Sequence, residues 1–190
     1  MSADSPLIET VVTTTGPDGR VNCGAMGVRW GEAELVFWPF EGTRTLRNLR
    51  ERGEAVVHLT DDALLFVEAA LGDPRPLLRP ASAVRGSVIE DANAWREVVV
   101  SDIAPDAGGL PRSRVRARVV ATGSGREALG LCRARHAAVE ASIVASRLKL
   151  LGAGRVTGEL DRLQELVDKT AGPREHAAME YVRRYVAARA

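Results

Sequence analysis

The stretch Leu7–Trp30, LIETVVTTTGPDGRVNCGAMGVRW, decides the fold. Its first part, residues 7–15, is rich in β-branched residues, which favour an extended backbone. The following Gly16-Pro17-Asp18-Gly19 combines the residue types that dominate tight turns, and a second extended run comes after it. The stretch therefore predicts a β-hairpin, with one strand over 7–15 and the other over 21–30.

More strands follow the hairpin, and helices dominate only near the end of the chain. Alternation and turn residues predict strands over 34–38, 55–60, 81–90, 95–103 and 111–122, while the apolar segment that ends at Leu71 fits either a strand or a short helix. From Arg126 the pattern has a helical period, which predicts helices over 126–151 and 158–169 and from 173 to the C-terminus. This order is typical of an α+β protein, an antiparallel barrel or sandwich with a helical C-terminal portion.

The composition is that of a folded protein without excess charge. The 190 residues are 45% apolar and 27% charged, and their formal net charge is +1. This balance argues against disorder and against bulk attraction to nucleic acid or anionic lipid. The sequence shows no secretory signal and no apolar run near the roughly 20 residues of a membrane span, and it has only two cysteines. We therefore expect a cytoplasmic protein with no membrane and no nucleic-acid partner.

Arginine dominates the basic residues, and four arginines alternate along one predicted strand. Arg112, Arg114, Arg116 and Arg118 would share one face of that strand. Such a face fits either cross-strand ion pairs or contact with nucleic-acid phosphates. The strand lacks the interleaved aromatic residues that stack bases, which favours the ion pairs.

Two other patterns suggest chemistry but have simpler interpretations. Residues 123–128, GSGREA, fit a dinucleotide-binding fingerprint, yet the second parallel strand that such a fold needs is missing from the pattern. We expect instead a strand-to-helix turn whose glycines adopt positive φ. The three histidines, His58, His136 and His176, lie in different elements without metal-ligand spacing, so no metal site is expected.

The segment Pro39–Leu49, PFEGTRTLRNL, is the most informative about function. Thr43 is suited to cap a helix that ends at Gly53. The free N–H groups at the start of such a helix attract anions, and Arg44 could add a charge-assisted contact to a phosphate. The preceding aromatic strand end and the Met26-Gly27 corner offer surface for a flat ring. The segment thus fits either a phosphate clamp for a mononucleotide-like cofactor or an ordinary capped helix.

Three stretches resemble a known family. LIETVVTTTGPDGRVNCGAMGVRW, PFEGTRTLRNLRERGEAVVHLTDDALLF and LVDKTAGPREHAA are similar to the DUF447 family, which is related to the flavin reductase-like FMN-binding split barrels. The resemblance implies a six-stranded antiparallel Greek-key split β-barrel over 1–125. It also implies a C-terminal helical portion over 126–190 packed on the barrel, and a homodimer with FMN between its subunits.

The resemblance also assigns site residues, while no catalytic residue is indicated. By position, the residues implied to bind FMN are Thr43, Arg44, Thr45 and Asn48 at the phosphate and ribityl chain, Asn22, Met26 and Gly27 at the isoalloxazine, and Lys169 at a phosphate. The chain departs from the family at His58, where asparagine is usual, and at Cys23. The implied activity is that of a flavin-dependent oxidoreductase or flavin reductase that uses NAD(P)H or a small-molecule substrate. The alternative is a non-catalytic protein that binds FMN or another small ligand.

Overall fold

The computed structural model describes residues 5–190, which form eight strands and six helices. In chain order these are β1 (Leu7–Thr15), β2 (Val21–Trp30), β3 (Glu34–Phe37), α1 (Arg44–Arg52), β4 (Glu54–Leu59), α2 (Ala63–Leu71), β5 (Leu78–Pro80), β6 (Ser87–Ile89), β7 (Ala94–Pro105), β8 (Ser113–Ser124), α3 (Arg133–Ser146), α4 (Leu148–Leu151), α5 (Ala153–Thr170) and α6 (Pro173–Ala187). The chain divides into two compact units. Within the described residues, the barrel unit comprises 5–60 together with Arg75–Glu127, and the helical unit comprises Asp61–Pro74 together with Ala128–Ala190.

Six strands of the barrel unit close into an antiparallel barrel in the order β1-β2-β3-β8-β7-β4. Because β4 returns to pair with β1, the first four strands stand in the order 4-1-2-3, which defines a Greek key. The two remaining strands, β5 and β6, pair with each other in a separate small sheet. The predicted fold class, an α+β protein with a six-stranded antiparallel Greek-key split barrel and C-terminal helices, is confirmed.

The predicted hairpin is present with the predicted bounds, and its register assigns residues to two faces. Thr15 pairs with Val21 beside the turn, and the pairing continues to Leu7 and Arg29. Directly opposed residues share a face of the sheet, so the two faces alternate along both strands. Val12 and Val28 lie in the core inside the barrel. The neighbouring positions along each strand therefore face the outside of the barrel.

Helix α1 contributes to the barrel core through one face. Leu46 and Leu49 are buried there with strand residues such as Phe37. Thr43 caps the helix as predicted, and Gly53 ends it in the left-handed conformation at φ 65°. The rest of the helix surface is charged, because five of the nine residues from 44 to 52 are arginine or glutamate. An apolar edge on an otherwise charged helix fixes which side faces the barrel.

Three element predictions are wrong in their bounds. Only Ser87–Ile89 of the predicted strand 81–90 is extended, since the amides of Ser82 and Ala83 donate to the Glu97 carboxylate instead of to a strand. The predicted helix from 126 begins only at Arg133, and the last long helix before the C-terminal one begins at Ala153 and not at 158.

The glycines of residues 123–128 also differ from expectation. Neither Gly123 nor Gly125 has a positive φ. A Cβ at Gly123 would lie 2.1 Å from the Trp95 ring, and one at Gly125 would lie 2.2 Å from the carbonyl oxygen of Ala92. These glycines are therefore needed for close packing, and the antiparallel pairing of β8 with β7 excludes a dinucleotide fold at this turn.

The helical unit packs around a core of small residues. Helix α3 contributes Ala134, Ala137, Ala138, Ala141 and Ala145, which recur at helical spacing. Helices α2, α5 and α6 contribute larger apolar side chains to the same core. The apolar segment that ends at Leu71 is a helix, and Asp62 caps it by accepting bonds from the amides of Leu64 and Leu65.

Candidate functional site at the start of helix α1

The inward face of α1 is fixed to the hairpin by two buried side-chain hydrogen bonds. Asn22 Nδ2 donates to Thr45 Oγ1 at 2.9 Å, and Asn48 Nδ2 donates to Thr14 Oγ1 at 3.1 Å. All four side chains are buried. Three of the residues predicted to contact FMN, at positions 22, 45 and 48, are thus brought together. Their hydrogen bonds position the helix against β1 and β2.

The N-cap hydroxyl is used within its own loop. Thr43 Oγ1 accepts the amide of Leu46 at 3.3 Å and donates to the carbonyl of Phe40 at 2.7 Å. Gly42, just before the cap, has φ 77°, a conformation that side-chain-bearing residues rarely adopt. The backbone can therefore turn sharply into the helix, and the first amides of the helix are left without intrahelical acceptors.

Two open clefts flank α1 on its exposed sides. The first has a volume of about 300 Å³ and is lined by Gly16, Pro17, Asp18, Arg20, Arg44, Arg47, Asn48 and Glu51. The second has a volume of about 410 Å³ and is lined by Gly42, Thr43, Leu46, Arg47, Arg50 and Glu51. Arg47 and Glu51 line both. The first cleft has three guanidiniums against the carboxylates of Asp18 and Glu51, and the second has two against that of Glu51. Each cleft therefore has a small excess of positive charge, which suits an anionic ligand.

The loop before α1 is anchored to the start of β8 by Glu41. Its carboxylate accepts bonds from Arg50 at 2.9 and 3.0 Å and from the Ser113 hydroxyl at 2.6 Å. These bonds from Arg50 and Ser113 lower the pKa of Glu41. The Glu41 amide also donates to Pro111 at 2.8 Å. The segment that leads into the N-cap is therefore held at both its backbone and its side chain.

Strand β2 passes beside α1 with part of one edge outside the strand ladder. Among the described residues, β3 pairs with β2 only at Val28–Trp30, so the edge of residues 21–27 that faces away from β1 has no strand partner there. Asn22 and Met26 share the inner face with Gly24, while Gly27 belongs to the outer face. A Cβ at Gly24 would lie 2.8 Å from Thr45 Oγ1, so this glycine permits the close approach of α1.

The two departures from the family lie on the outer face of the hairpin and of β4. Cys23 pairs with Thr13, and His58 pairs with Val11. His58 Nδ1 donates to the Val11 carbonyl at 3.0 Å, while Nε2 accepts the Ile89 amide at 3.1 Å. This assignment follows because an amide can only donate. Burial lowers the pKa of His58 to about 4, against the opposing effect of the bond to Val11. A neutral His58 thus joins β1, β4 and β6.

The remaining predicted site residue, Lys169, belongs to the helical unit. It lies 3.9 Å from Glu165 in an exposed ion pair, and its contact with a phosphate stays a prediction. Its neighbour Thr170 accepts the Ala134 amide at 3.1 Å, and in the same motif Glu175 accepts a bond from Arg135 at 3.4 Å. Much of the LVDKTAGPREHAA stretch therefore joins helices to one another.

The arginine face of β8 forms ion pairs with neighbouring carboxylates. Arg116 donates two 3.0 Å bonds to Glu34, Arg114 lies 3.3 Å from Asp102, and Arg112 lies 2.6 Å from Asp106. These contacts favour the cross-strand ion pairs over a phosphate-binding surface. Residues 5–190 contain no group of three His, Cys, Asp or Glu side chains placed to hold a metal. None of the helices in that range is long and apolar enough to cross a membrane.

Sequence reasoning missed three residues around α1. Arg47 lines both clefts, and Glu41 and Arg50 together hold the N-cap loop. Arg47 could have been predicted from Arg44, because residues three apart on a helix lie on the same face. The Glu41–Arg50 pair spans the loop and the helix, at a separation of nine residues. No regular spacing reveals such a pair.

Comparisons with known proteins cover nearly the whole chain. The family model described as "Protein of unknown function (DUF447) N-terminal domain" matches residues 8–125, and that described as "Protein of unknown function (DUF447)" matches residues 132–184. An FMN-bound DUF447 protein from Methanosarcina mazei is similar in structure, with a TM-score of 0.82, 18% identity and 95% of each chain covered.

A flavin reductase and a nitroreductase are also similar in fold. The flavin reductase of styrene monooxygenase from Pseudomonas putida matches with a TM-score of 0.52 and 17% identity, over 61% of this chain and 77% of that one. The 2-nitrobenzoate 2-nitroreductase of Pseudomonas fluorescens matches with a TM-score of 0.54 and 20% identity, over 65% and 67%. The fold is shared with these structures, and by its two family matches the chain belongs to the DUF447 family.

Proposed function

We propose that this protein binds FMN and acts as a flavin-dependent oxidoreductase. The observation that carries the proposal is the start of α1, where a capped helix N-terminus and several guanidiniums line open clefts. Strand β2 packs against the same helix, and its residues 21–27 have no strand partner on the side away from β1. The FMN-bound DUF447 protein that shares the fold over 95% of both chains supports the same ligand.

The donor set fits a phosphate. The first-turn amides of α1 and the positive end of the helix dipole favour an anion. Arg44 lies at the first position of the helix and lines the first cleft together with Asn48. We assign the phosphate to these groups, with Thr43 as the cap that sets their direction. Thr45 and Asn48 would orient the helix toward the ribityl chain through their bonds to the hairpin.

The neighbouring part of β2 fits the flat ring. Asn22, Met26 and Gly27 belong to the part of β2 that does not pair with β3, so backbone groups along that edge can pair with a heterocycle. Met26 is half-buried, and its unbranched side chain can adapt to a ring. Leu46 and Leu49 close the barrel core behind the helix and keep water out of it.

When bound, FMN supplies the hydride and electron transfer chemistry, and the protein supplies binding and orientation. We propose further that the protein is a homodimer, that NAD(P)H or a small organic molecule is the second substrate, and that Lys169 reaches a phosphate. We propose that the protein acts in the cytoplasm.

Titration with FMN tests the proposal. The purified protein should quench the fluorescence of added FMN and show a flavin absorption spectrum. Arg44→Ala should weaken FMN binding by about 1–3 kcal/mol if its charge-assisted contact is made. Arg118→Ala, an equal change of charge on β8, is the control and should bind like the wild type. A protein that leaves both signals unchanged at high FMN concentration would refute the proposal.

A second candidate is a protein of the same fold that binds FMN or a small ligand without catalysis. Two titratable groups near the hairpin and α1 are already engaged in structural bonds, His58 through both ring nitrogens and Glu41 through Arg50 and Ser113. Assays of NADH and NADPH oxidation with the flavin-loaded protein distinguish the candidates. Bound flavin without any turnover would favour the second, and light scattering of the same sample would give the oligomeric state.

A further inference from the structure

The arginines of α1 differ in what they contact. Arg50 is held by two bonds to Glu41, and Arg52 donates to the Pro17 carbonyl at 3.1 Å. The Arg47 guanidinium, by contrast, has no hydrogen bond or ion pair with any residue from 5 to 190. Its side chain is exposed, although partners for arginine are common elsewhere on this surface. The structure therefore leaves one guanidinium of the helix without a structural role.

The position of Arg47 gives it access to both sides of the helix. Arg44 lines the first cleft but not the second, and Arg50 lines the second but not the first. Arg47 lines both. An anion bound in either cleft would therefore meet this side chain.

The charge distribution along α1 indicates that an anion belongs there. The first turn of the helix contains no acidic residue, and Arg44 opens it. Positive side chains at this end interact unfavourably with the helix dipole, which favours carboxylates there. Arg47, one turn further, adds to this excess of positive charge. A bound dianion would convert this repulsion into attraction.

We propose that Arg47 is a phosphate-binding residue of this site, contacting the phosphate through its two-pronged guanidinium, and that Glu41 and Arg50 position the loop before it. The assignment rests on the proposed function, because it takes the phosphate to be that of FMN. It makes the clefts beside α1 selective for phosphorylated flavin, since a guanidinium fork matches a phosphate in charge and geometry.

The test compares FMN with riboflavin, which has the same ring and ribityl chain but no phosphate. Arg47→Gln should weaken FMN binding by about 10- to 100-fold, in line with the loss of a charge-assisted hydrogen bond. Riboflavin binding should change by less than about twofold, because the lost contact is to the phosphate. Arg47→Lys keeps the positive charge but not the two-pronged guanidinium, so its loss of FMN affinity should lie between those of the wild type and Arg47→Gln.

Arg118→Gln is the matched control, because it removes the same charge from an exposed arginine of β8 that lies outside both clefts. It should leave the ratio of FMN to riboflavin affinity near the wild-type value. If the wild type binds FMN and Arg47→Gln leaves this ratio unchanged, the assignment of Arg47 is wrong and the proposed function stands. If the wild type binds neither flavin, the proposed function fails and the assignment fails with it.

Discussion

The barrel unit and the helical unit differ in how they use buried polar side chains. In the described part of the chain, the barrel unit buries nine of them and the helical unit two. Those of the barrel unit are Thr10, Thr13, Thr14, Asn22, Thr45, Asn48, His58, Glu97 and Ser113, and those of the helical unit are Ser142 and Glu175.

The hydrogen bonds of these side chains differ in the sequence separation of the residues that they join. In the barrel unit they join residues far apart in sequence, as His58 does with Val11 and Ile89. In the helical unit, Glu175 accepts one long-range bond, from Arg135 of α3, whereas Ser142 donates to Val139 within its own helix, where α3 contributes mostly alanine to the core. Since an unsatisfied buried polar group is costly, many long-range polar bonds specify one arrangement of the barrel, while the helices rely mainly on close packing.

The largest expected effect is that of removing His58. His58→Ala would leave the Val11 carbonyl and the Ile89 amide buried without this partner, at a cost of about 3 kcal/mol at pH 7. Because the pKa of His58 in the folded protein, about 4, lies below the ordinary 6.5, the unfolded chain binds a proton that the folded protein does not. The stability that wild-type His58 gives is therefore complete above about pH 6.5 and is lost as the pH falls toward 4.

Urea unfolding at pH 7 and pH 5 measures this effect. The stability difference between wild type and His58→Ala should shrink by roughly 2 kcal/mol at pH 5, at about 1.4 kcal/mol per pH unit. His136→Gln, at an exposed position of α3, should follow the wild type at both pH values. An alanine variant that keeps the full acid sensitivity of the wild type would show that another group is responsible.

A smaller effect is expected at Glu97, whose carboxylate is also buried in the barrel unit. Its carboxylate accepts the amides of Ser82 and Ala83 and the Ser82 hydroxyl. Burial acts to raise the pKa of Glu97, but these bonds and one from the Val84 amide together lower it. Glu97→Gln turns part of the acceptor into a donor that faces other donors, and should cost about 2 kcal/mol.

Thermal unfolding at neutral pH measures this cost, and the matched control lies in the helical unit. Glu180→Gln removes an exposed pair with Arg184, for which about 0.5 kcal/mol or less is expected. The advantage of Glu97 over glutamine is fully present above the ordinary carboxyl pKa and fades as the pH falls below it, because the folded pKa is the lower one. If Glu97→Gln and Glu180→Gln lost the same stability, the proposed difference between the barrel unit and the helical unit in their dependence on polar contacts would be wrong.

The sequence predicted correctly the elements that depend on local interactions, and it failed where long-range bonds decide the structure. The hairpin, the Thr43 cap and the Gly53 stop depend on neighbours in the sequence, and all three were predicted correctly. The prediction of a strand over 81–90 was wrong because Glu97, more than ten residues downstream, accepts hydrogen bonds from the amides of Ser82 and Ala83. The helix predicted from 126 failed for a similar reason, since Asn93 binds the carbonyls of Arg126 and Glu127.

In the candidate site, too, the features that depend on local sequence were predicted, and those that depend on long-range contacts were not. Threonine, arginine and glycine before a helix indicated an anion site, because capping and charge are local properties. The apolar residues Leu46 and Leu49 indicate which side of α1 faces the barrel, but the polar partners on that side depend on the register of the hairpin. No local pattern contains that register, so the bonds of Thr45 and Asn48 to the hairpin and the access of Arg47 to both clefts needed the structure.

The smallest expected effect is at Ser142, where the helical unit also buries a hydroxyl. Ser142 donates to the carbonyl of Val139, which is three residues earlier, at 2.7 Å. Such a back-bond adds little to helix stability, and alanine has the higher helix propensity. Ser142→Ala leaves no buried donor behind and matches the alanines around it. The free energy of unfolding should therefore stay within about 0.5 kcal/mol of wild type, measured by urea unfolding followed by circular dichroism. A loss near that of Glu97→Gln would mean that the helical unit also depends on a specific polar contact, and the contrast between the two units would then be one of number and not of kind.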